Sequence, residues 1–289
     1  RIPAAACAMD LALSARRRWD GRPIAARVSG VLGSGDPART ARRLRRMRWF
    51  GLRDFKLKLG LGEEADRANL AVAVRQLGRG LRAGRCTLRV DVNGGWSAAD
   101  TPGRVEELAG LGVCAVEQPV FCPPGELAAL AGRCRLPLVA DESLVDLVDA
   151  RALLEAPRAV WWNVRISKNG GLRRAAELAA LAAERGVPFV VGCMVGESGI
   201  LSAAQRRLLE AGPAPRFVEG NYGRFLLADD LTCPSPRFGY GGRLRGLGEV
   251  RIGDVLGEAR AGAGQHHFAP PTLETAIAPA RLSEKGALH

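Results

Sequence analysis

The sequence predicts an α/β protein, a (β/α)7β barrel of the TIM type, and three observations predict it. Short apolar runs alternate with Ala-, Leu- and Arg-rich stretches of helical periodicity from residue 26 to about residue 220, which implies right-handed βαβ units and a parallel sheet. Eight such strands are separated by seven such helices, a pattern that suits a closed barrel. The first strand runs into "GSGDPART", without the GxGxxG loop that an open nucleotide-binding sheet would more often carry.

The first strand is expected over 26–32 and the first intervening helix over 37–49. In "RTARRLRRMRWFGLR", Leu44, Met47 and Trp49/Phe50 recur at helical spacing, so the arginines between them cover an outer face. The remaining strands are expected over 54–59, 86–92, 113–117, 136–140, 160–166, 188–191 and 216–219. The helices between them fall at 64–81, 101–111, 124–133, 147–154, 172–185 and 201–211. Residues 26–220 then form the barrel and 1–25 precede it. Residues 221–268 are rich in Gly and Pro, with short strand-like pieces such as "LRGLGEVRIG", and 269–289 read as a poorly ordered tail.

At 289 residues, 47% of them apolar, the chain can bury one large core. No apolar run approaches the ~18–20 residues of a membrane span, and no basic-then-apolar leader opens the chain. It begins at Arg1 without Met, as a processed form or a fragment would. The seven cysteines are odd in number, scattered and without a CxxC pair, which favours free thiols in the reducing cytoplasm over a disulfide framework or zinc site. The net charge of +12 would suit a nucleic-acid surface. The helical spacing of the arginines favours solvated helix faces instead, so neither nucleic acid nor membrane is the expected partner.

In a βα barrel, chemistry sits where strands end. The polar residues there are Lys56 and Lys58, Asp91 and Asn93, Glu117, Asp141 and Glu142, Lys168, Glu197 and Glu219, in strand order. Asp91, Glu117 and Asp141 end three consecutive strands at separations of 26 and 24 residues. Adjacent strands lie about 4.8 Å apart, so these carboxylates can converge on one hard cation. Oxygen donors in that number suit Mg²⁺, with Mn²⁺ as the alternative. Helix capping would explain any one of these acids; three in succession, flanked by lysines, point to a metal.

Of 42 basic residues only four are lysines, and three of those fall at strand ends: Lys56, Lys58 and Lys168. An arginine cannot surrender its proton near neutral pH, with a pKa above ~12. A lysine can, when neighbouring positive charge and desolvation bring its pKa toward ~7–8. Lys58 and Lys168 are therefore expected to face each other across the cation as acid and base. Lys56, two residues earlier on the same face, sits lower and tunes Lys58.

The motifs "KLK", "DVNGGW", "EQP", "ADES", "SKNGG" and "GCMVGESG", in order over about residues 5–235, resemble the muconate lactonizing enzyme subgroup of the enolase superfamily. That resemblance implies a (β/α)7β barrel, bound Mg²⁺ held by Asp91, Glu117 and Asp141, and Lys58 and Lys168 as the acid/base pair. Asn93 and Glu142 would support the ligands, and Glu197 would lie near the substrate carboxylate or orient a lysine. The chemistry implied is removal of a proton α to a carboxylate through an enediolate. The expected reaction is cycloisomerisation of a small carboxylate of the muconate or chloromuconate type. The alternatives are dipeptide or amino-acid epimerisation or racemisation, o-succinylbenzoate synthesis, and, from another class, a non-catalytic basic barrel binding nucleic acid or a protein partner. The histidine-dependent mandelate racemase branch fits less well, since His266, His267 and His289 lie past the barrel.

The sequence also departs from that subgroup. Its members carry an α+β capping domain of about a hundred residues ahead of the barrel. Here residues 1–25 resemble only the helix joining cap to barrel, so the cap is largely absent; residues 221–268 would pack on it. Dipeptide epimerases of the subgroup show Asp-x-Asp on the eighth strand to bind an ammonium, whereas this chain has Glu219-Gly220-Asn221, leaving Glu219 to support the site or bind substrate. Arg165 stands where relatives often have Lys and is expected to point away from the barrel interior. The resemblance also implies assembly into homo-oligomers.

Overall fold

Each predicted strand supplies a short strand to one eight-stranded sheet in sequence order. The strands are β1 (Gly30–Leu32), β2 (Asp54–Lys58), β3 (Thr87–Asp91), β4 (Ala115–Glu117), β5 (Leu138–Ala140), β6 (Val160–Val164), β7 (Phe189–Val191) and β8 (Phe217–Val218). All neighbouring pairs are parallel. A parallel bridge between Val28 and Val218, with the Ser29 amide donating to the Val218 carbonyl at 2.7 Å, brings the last strand to the segment entering the first and closes the barrel. The computed structural model describes residues 3–14, 24–33, 35–156, 159–220, 222, 230, 232 and 236–246. The tail expected over 269–289, and most of the segment expected over 221–268, lie outside the described residues.

Helix α1 (Pro3–Ser14) precedes the barrel. Between the strands run α2 (Pro37–Trp49), α3 (Glu63–Arg82), α4 (Thr101–Gly110), α5 (Pro124–Ala131), α6 (Leu147–Leu153), α7 (Leu172–Glu184) and α8 (Gly199–Ala211), close to the predicted bounds. Local chemistry sets several starts. Asp36 accepts a hydrogen bond from the Ala38 amide at 2.8 Å, with Pro37 as the first helical residue of α2. α2 buries Thr40 and Leu44 and exposes Arg39, Arg42, Arg45, Arg46 and Arg48, as its periodicity predicts, but Trp49, expected on the apolar face, is exposed at the helix end. α7 begins after Gly171, at φ 120°, which has no side chain to cap with. Asp10 of α1 supplies the missing acceptor, taking the Arg173 amide at 3.1 Å. A Cβ on Gly171 would lie 2.6 Å from Asp10, so that close approach requires glycine.

Strand alternation sorts the side chains into two layers. Phe55, Leu57, Leu88, Val90, Val116, Leu138, Trp162 and Val191 face outward and pack under the helices with Leu44, Leu77, Leu127 and Leu178. The alternate residues face the lumen, where Ala115, Val139, Trp161, Val190 and Phe217 form a smaller apolar plug. Further along the same inward positions the residues turn polar: Lys56, Arg89, Asp91, Glu117 and Asn163 are all buried. That polar layer is where the site is built. Leu138 is fully buried in the outer layer; Leu138→Ala should cost about 2–5 kcal/mol of stability, read by urea unfolding.

Candidate active site

Lys56 is the hub. Alternation along "DFKLK" turns Lys56 inward between Phe55 and Leu57. Its ammonium lies 2.9 Å from Glu117 Oε1, 2.8 Å from Glu219 Oε2 and 3.3 Å from Asp91 Oδ2. Burial alone would lower its pKa, but Glu117, Glu219 and Asp91 together outweigh burial and hold it well above the ordinary lysine value. Lys56 is thus a cation held among three acids.

Glu117 ends β4 opposite Asp91 in the strand register. Its Oε1 accepts from Lys56 and, at 2.9 Å, from Asn163 Nδ2. Its Oε2 is buried without a hydrogen bond, and the Arg89 Nη1 lies 3.9 Å away. Burial, reinforced by the charges of Asp91, Glu219 and Asp141 and opposed by Lys56, pushes the Glu117 carboxyl up to about 8. Asp91 ends β3, opposite Lys58 on β2. The Asn93 amide donates to Asp91 Oδ1 at 3.2 Å, from a backbone at φ 48° that non-glycine residues rarely adopt. Asn93 therefore supports Asp91 through its main chain.

Asp141 directly follows β5, and Gln118 places it. Gln118 Oε1 accepts from the Asp141 and Ser143 amides at 3.0 and 3.2 Å, and its Nε2 donates to Val120 O and Ser143 Oγ at 2.8 Å each. Gln118 itself sits at φ 37°. Asp141 Oδ1 meets Arg165 Nη2 at 2.8 Å and Lys168 Nζ at 3.0 Å. Lys168 Nζ also donates to the Asp141 carbonyl at 2.5 Å and the Asn163 carbonyl at 2.9 Å. Two of its three hydrogens thus go to the Asp141 and Asn163 carbonyls, and the charge is paired with Asp141 Oδ1. Burial lowers the Lys168 pKa, with Asp141 opposing.

Arg165 does not point away from the barrel interior. Asn163 reaches inward to Glu117, and Arg165, two residues on, shares that side. Its guanidinium pairs with Asp141 and lies 3.6 Å from Glu142 Oε1. Lys168 is three residues further, in the turn after β6, and reaches back to the carbonyls. The cation carried inward by the sixth strand is thus arginine.

The other expected residues divide. Glu142 is half-buried near Arg165, and burial raises its pKa. Glu197 accepts from the Met194 amide at 2.8 Å and from Ser167 Oγ at 3.4 Å, tying together the loops after β6 and β7. Glu219 has both oxygens engaged, by Lys56 at 2.8 Å and Arg89 at 2.9 Å. These cations overcome burial and hold its pKa below the ordinary value, so Glu219 supports the site from within. Lys58 contrasts with all of these. It ends β2, half-buried, and among the described residues its ammonium has no ion pair or hydrogen bond. Arg89, Asn163 and Gln118 were not anticipated. The signal for the first two was a polar residue at an inward position of an apolar strand ("LRV", "WNV").

Among the described residues, no three His, Cys, Asp or Glu side chains stand together as a ready metal cluster. Asp91 and Glu117 turn to Lys56, and Asp141 to Arg165 and Lys168. The donor chemistry nonetheless fits a hard divalent cation. The acids are carboxylates at successive strand ends, and Glu117 keeps an orphaned buried oxygen, its pKa raised by burial and then by neighbouring like charges. Because folding raises the pKa of Glu117, the folded metal-free chain binds more protons than the unfolded chain between 4.5 and about 8. Stability therefore falls as pH rises through that window. Melting temperatures measured in chelator should fall across it, and Glu117→Gln should flatten the fall; a flat wild-type profile would refute the assignment.

The family pattern described as "Enolase C-terminal domain-like" matches residues 38–248. N-succinyl-L-Arg/Lys racemase of Bacillus cereus is 31% identical over 179 residues, 61% of this chain and 47% of that protein. Muconate cycloisomerase 1-2 of Acinetobacter lwoffii is 33% identical over 216 residues, 73% of this chain and 54% of that protein. The crystal structure of a dipeptide epimerase from Methylococcus capsulatus, complexed with Mg ion, matches with a TM-score of 0.71 at 30% identity over 87% of this chain and 74% of that one. The chain spans about half the length of the curated relatives it matches. It belongs to the enolase C-terminal domain-like family, in the muconate lactonizing enzyme subgroup of the enolase superfamily.

Proposed function

We propose that this chain moves a proton α to the carboxylate of a small substrate, in a reaction of the cycloisomerase type, with Lys58 as the group that takes and returns the proton. The observation that carries this reading is the asymmetry of the barrel mouth. On the β2 side stands Lys58, in register with Asp91, whose ammonium has no ion pair or hydrogen bond among the described residues; on the β6 side stand Arg165 and Lys168, both anchored on Asp141.

A proton α to a carboxylate is weakly acidic because its loss makes a dianion. Asp91, Glu117 and Asp141 would hold Mg²⁺, which supplies charge stabilisation for that dianion. Lys58 is positioned to exchange the proton on one face. Arg165 offers a permanent positive charge on the other face, able to favour developing negative charge but not to give up a proton. Lys168 enters as the clamp of Asp141 rather than as a second base. Burial of Lys56 keeps the acids apart from bulk water and paired.

Epimerisation by two bases needs a removable proton on each face and, for a dipeptide, an anion free to meet the substrate ammonium. Arg165 cannot serve the first need, Lys168 is committed to Asp141 and the Asn163 carbonyl, and Glu219, engaged by Lys56 and Arg89, is not available for the second. The one-sided chemistry of cycloisomerisation, or of o-succinylbenzoate synthesis, is therefore favoured over the racemase and epimerase activities named for relatives.

Muconolactones, dipeptides and N-acyl amino acids incubated in D₂O with Mg²⁺ test the reading. At least one should exchange its α-proton, and EDTA should abolish the exchange. Lys58→Met should slow exchange roughly 10²–10⁴-fold, while Arg165→Lys should retain it. Exchange that survives Lys58→Met contradicts the assignment. A purely nucleic-acid-binding barrel would exchange nothing and bind DNA salt-sensitively in EDTA.

A further inference from the structure

Beneath the mouth, one element has no part in the chemistry above. Arg89 lies on β3, two residues before Asp91 and on the same inward face, with no solvent exposure. Its guanidinium carbon sits 4.3 Å from the centroid of the Phe217 ring, which gives the charge an aromatic floor. Nη2 donates to Ser29 Oγ at 3.2 Å, and Nη1 donates to Glu219 Oε1 at 2.9 Å. The other Glu219 oxygen receives Lys56, and the Gln205 side chain holds the Glu219 carbonyl at 2.6 Å. Lys56 in turn meets Glu117 and Asp91.

These contacts form one continuous path: Phe217, Arg89, Glu219, Lys56, then Glu117 and Asp91. It crosses from β8 to β3, β2 and β4 through the lumen. A lysine ammonium on a flexible stem is a poor fixed point by itself. Here it is held from one side by an anion that is itself fixed by a planar, stacked cation. A buried arginine without its carboxylate, or the reverse, would be strongly unfavourable, so the pair persists as a unit.

We propose that Arg89 and Glu219 are positioning residues that lock Lys56 and thereby preset Asp91 and Glu117 as an oxygen pair for a divalent cation. This rests on reading those acids, with Asp141, as cation ligands. The relay differs in sign from simple electrostatics. Removing a positive charge near an anionic site should tighten cation binding. Removing a positioning residue should loosen it, because Lys56, no longer held in place through Glu219 and Arg89, loses its fixed seat beneath the acids.

The test is Mn²⁺ alone, titrated into the full chain and followed by the electron paramagnetic resonance of the free ion, with circular dichroism confirming the fold. Wild type should bind Mn²⁺, and Asp141→Asn should weaken it. Arg89→Met should weaken Mn²⁺ roughly 10–100-fold, as loss of groups behind metal ligands typically does, and Arg89→Lys should recover part of that loss. If Arg89→Met does not fold, the double variant Arg89→Met/Glu219→Leu removes both buried charges; the relay predicts weak binding there too. Wild-type or tighter affinity in the folded Arg89 variant or the double variant overturns the relay and leaves the ligand assignment standing. A wild-type chain that binds no Mn²⁺ overturns both.

Discussion

Three acids from three different strands share one buried ammonium, that of Lys56. Without it the lumen would hold carboxylates pressed together in a low-dielectric space, a situation that neutralises acids or unfolds chains. With it, Asp91, Glu117 and Glu219 are drawn toward one point, and the strands that carry them are joined across the barrel. The interaction is costly to assemble and costly to break, since losing either partner strands a buried charge. The barrel accommodates it because the apolar plug of Ala115, Val139, Trp161, Val190 and Phe217 fills the space below.

That constraint divides the site into two kinds of cation. Lys56, Arg89, Arg165 and Lys168 are spent on holding acids and carbonyls in place. Among the described residues the Lys58 ammonium is spent on no such contact, and it stands at the end of β2. The division follows from pleating. Residues two apart on β2 face the same way, but Lys56 lies among the acids while Lys58 stands at the lip. The same rule on β6 turns Asn163 toward Glu117 and Arg165 toward Asp141.

Much of this was legible in the chain. Alternating apolar runs and helical stretches fix a parallel barrel, and acids at 91, 117 and 141 stand out because barrel strands end where chemistry is done. The two lysines of "KLK" stood out against a background of arginine. What was hidden was partnership over distance. Glu219 meets Arg89 across 130 residues of sequence, and no local pattern announces it. Arg165 was misjudged because an arginine is expected to seek solvent, although its apolar neighbours Val164 and Ile166 already claimed the outward face. Gln118 was invisible because its role depends on an unusual backbone angle that only the folded loop reveals.

A crystal structure of the chain soaked in Mg²⁺ tests the central claim most directly. The account predicts one cation contacted by Asp91, Glu117 and Asp141, with the Lys56 ammonium still seated beneath Glu117 and Lys58 alone facing the open side. A cation bound elsewhere, or a Lys56 displaced into solvent while the acids hold their places, would contradict it.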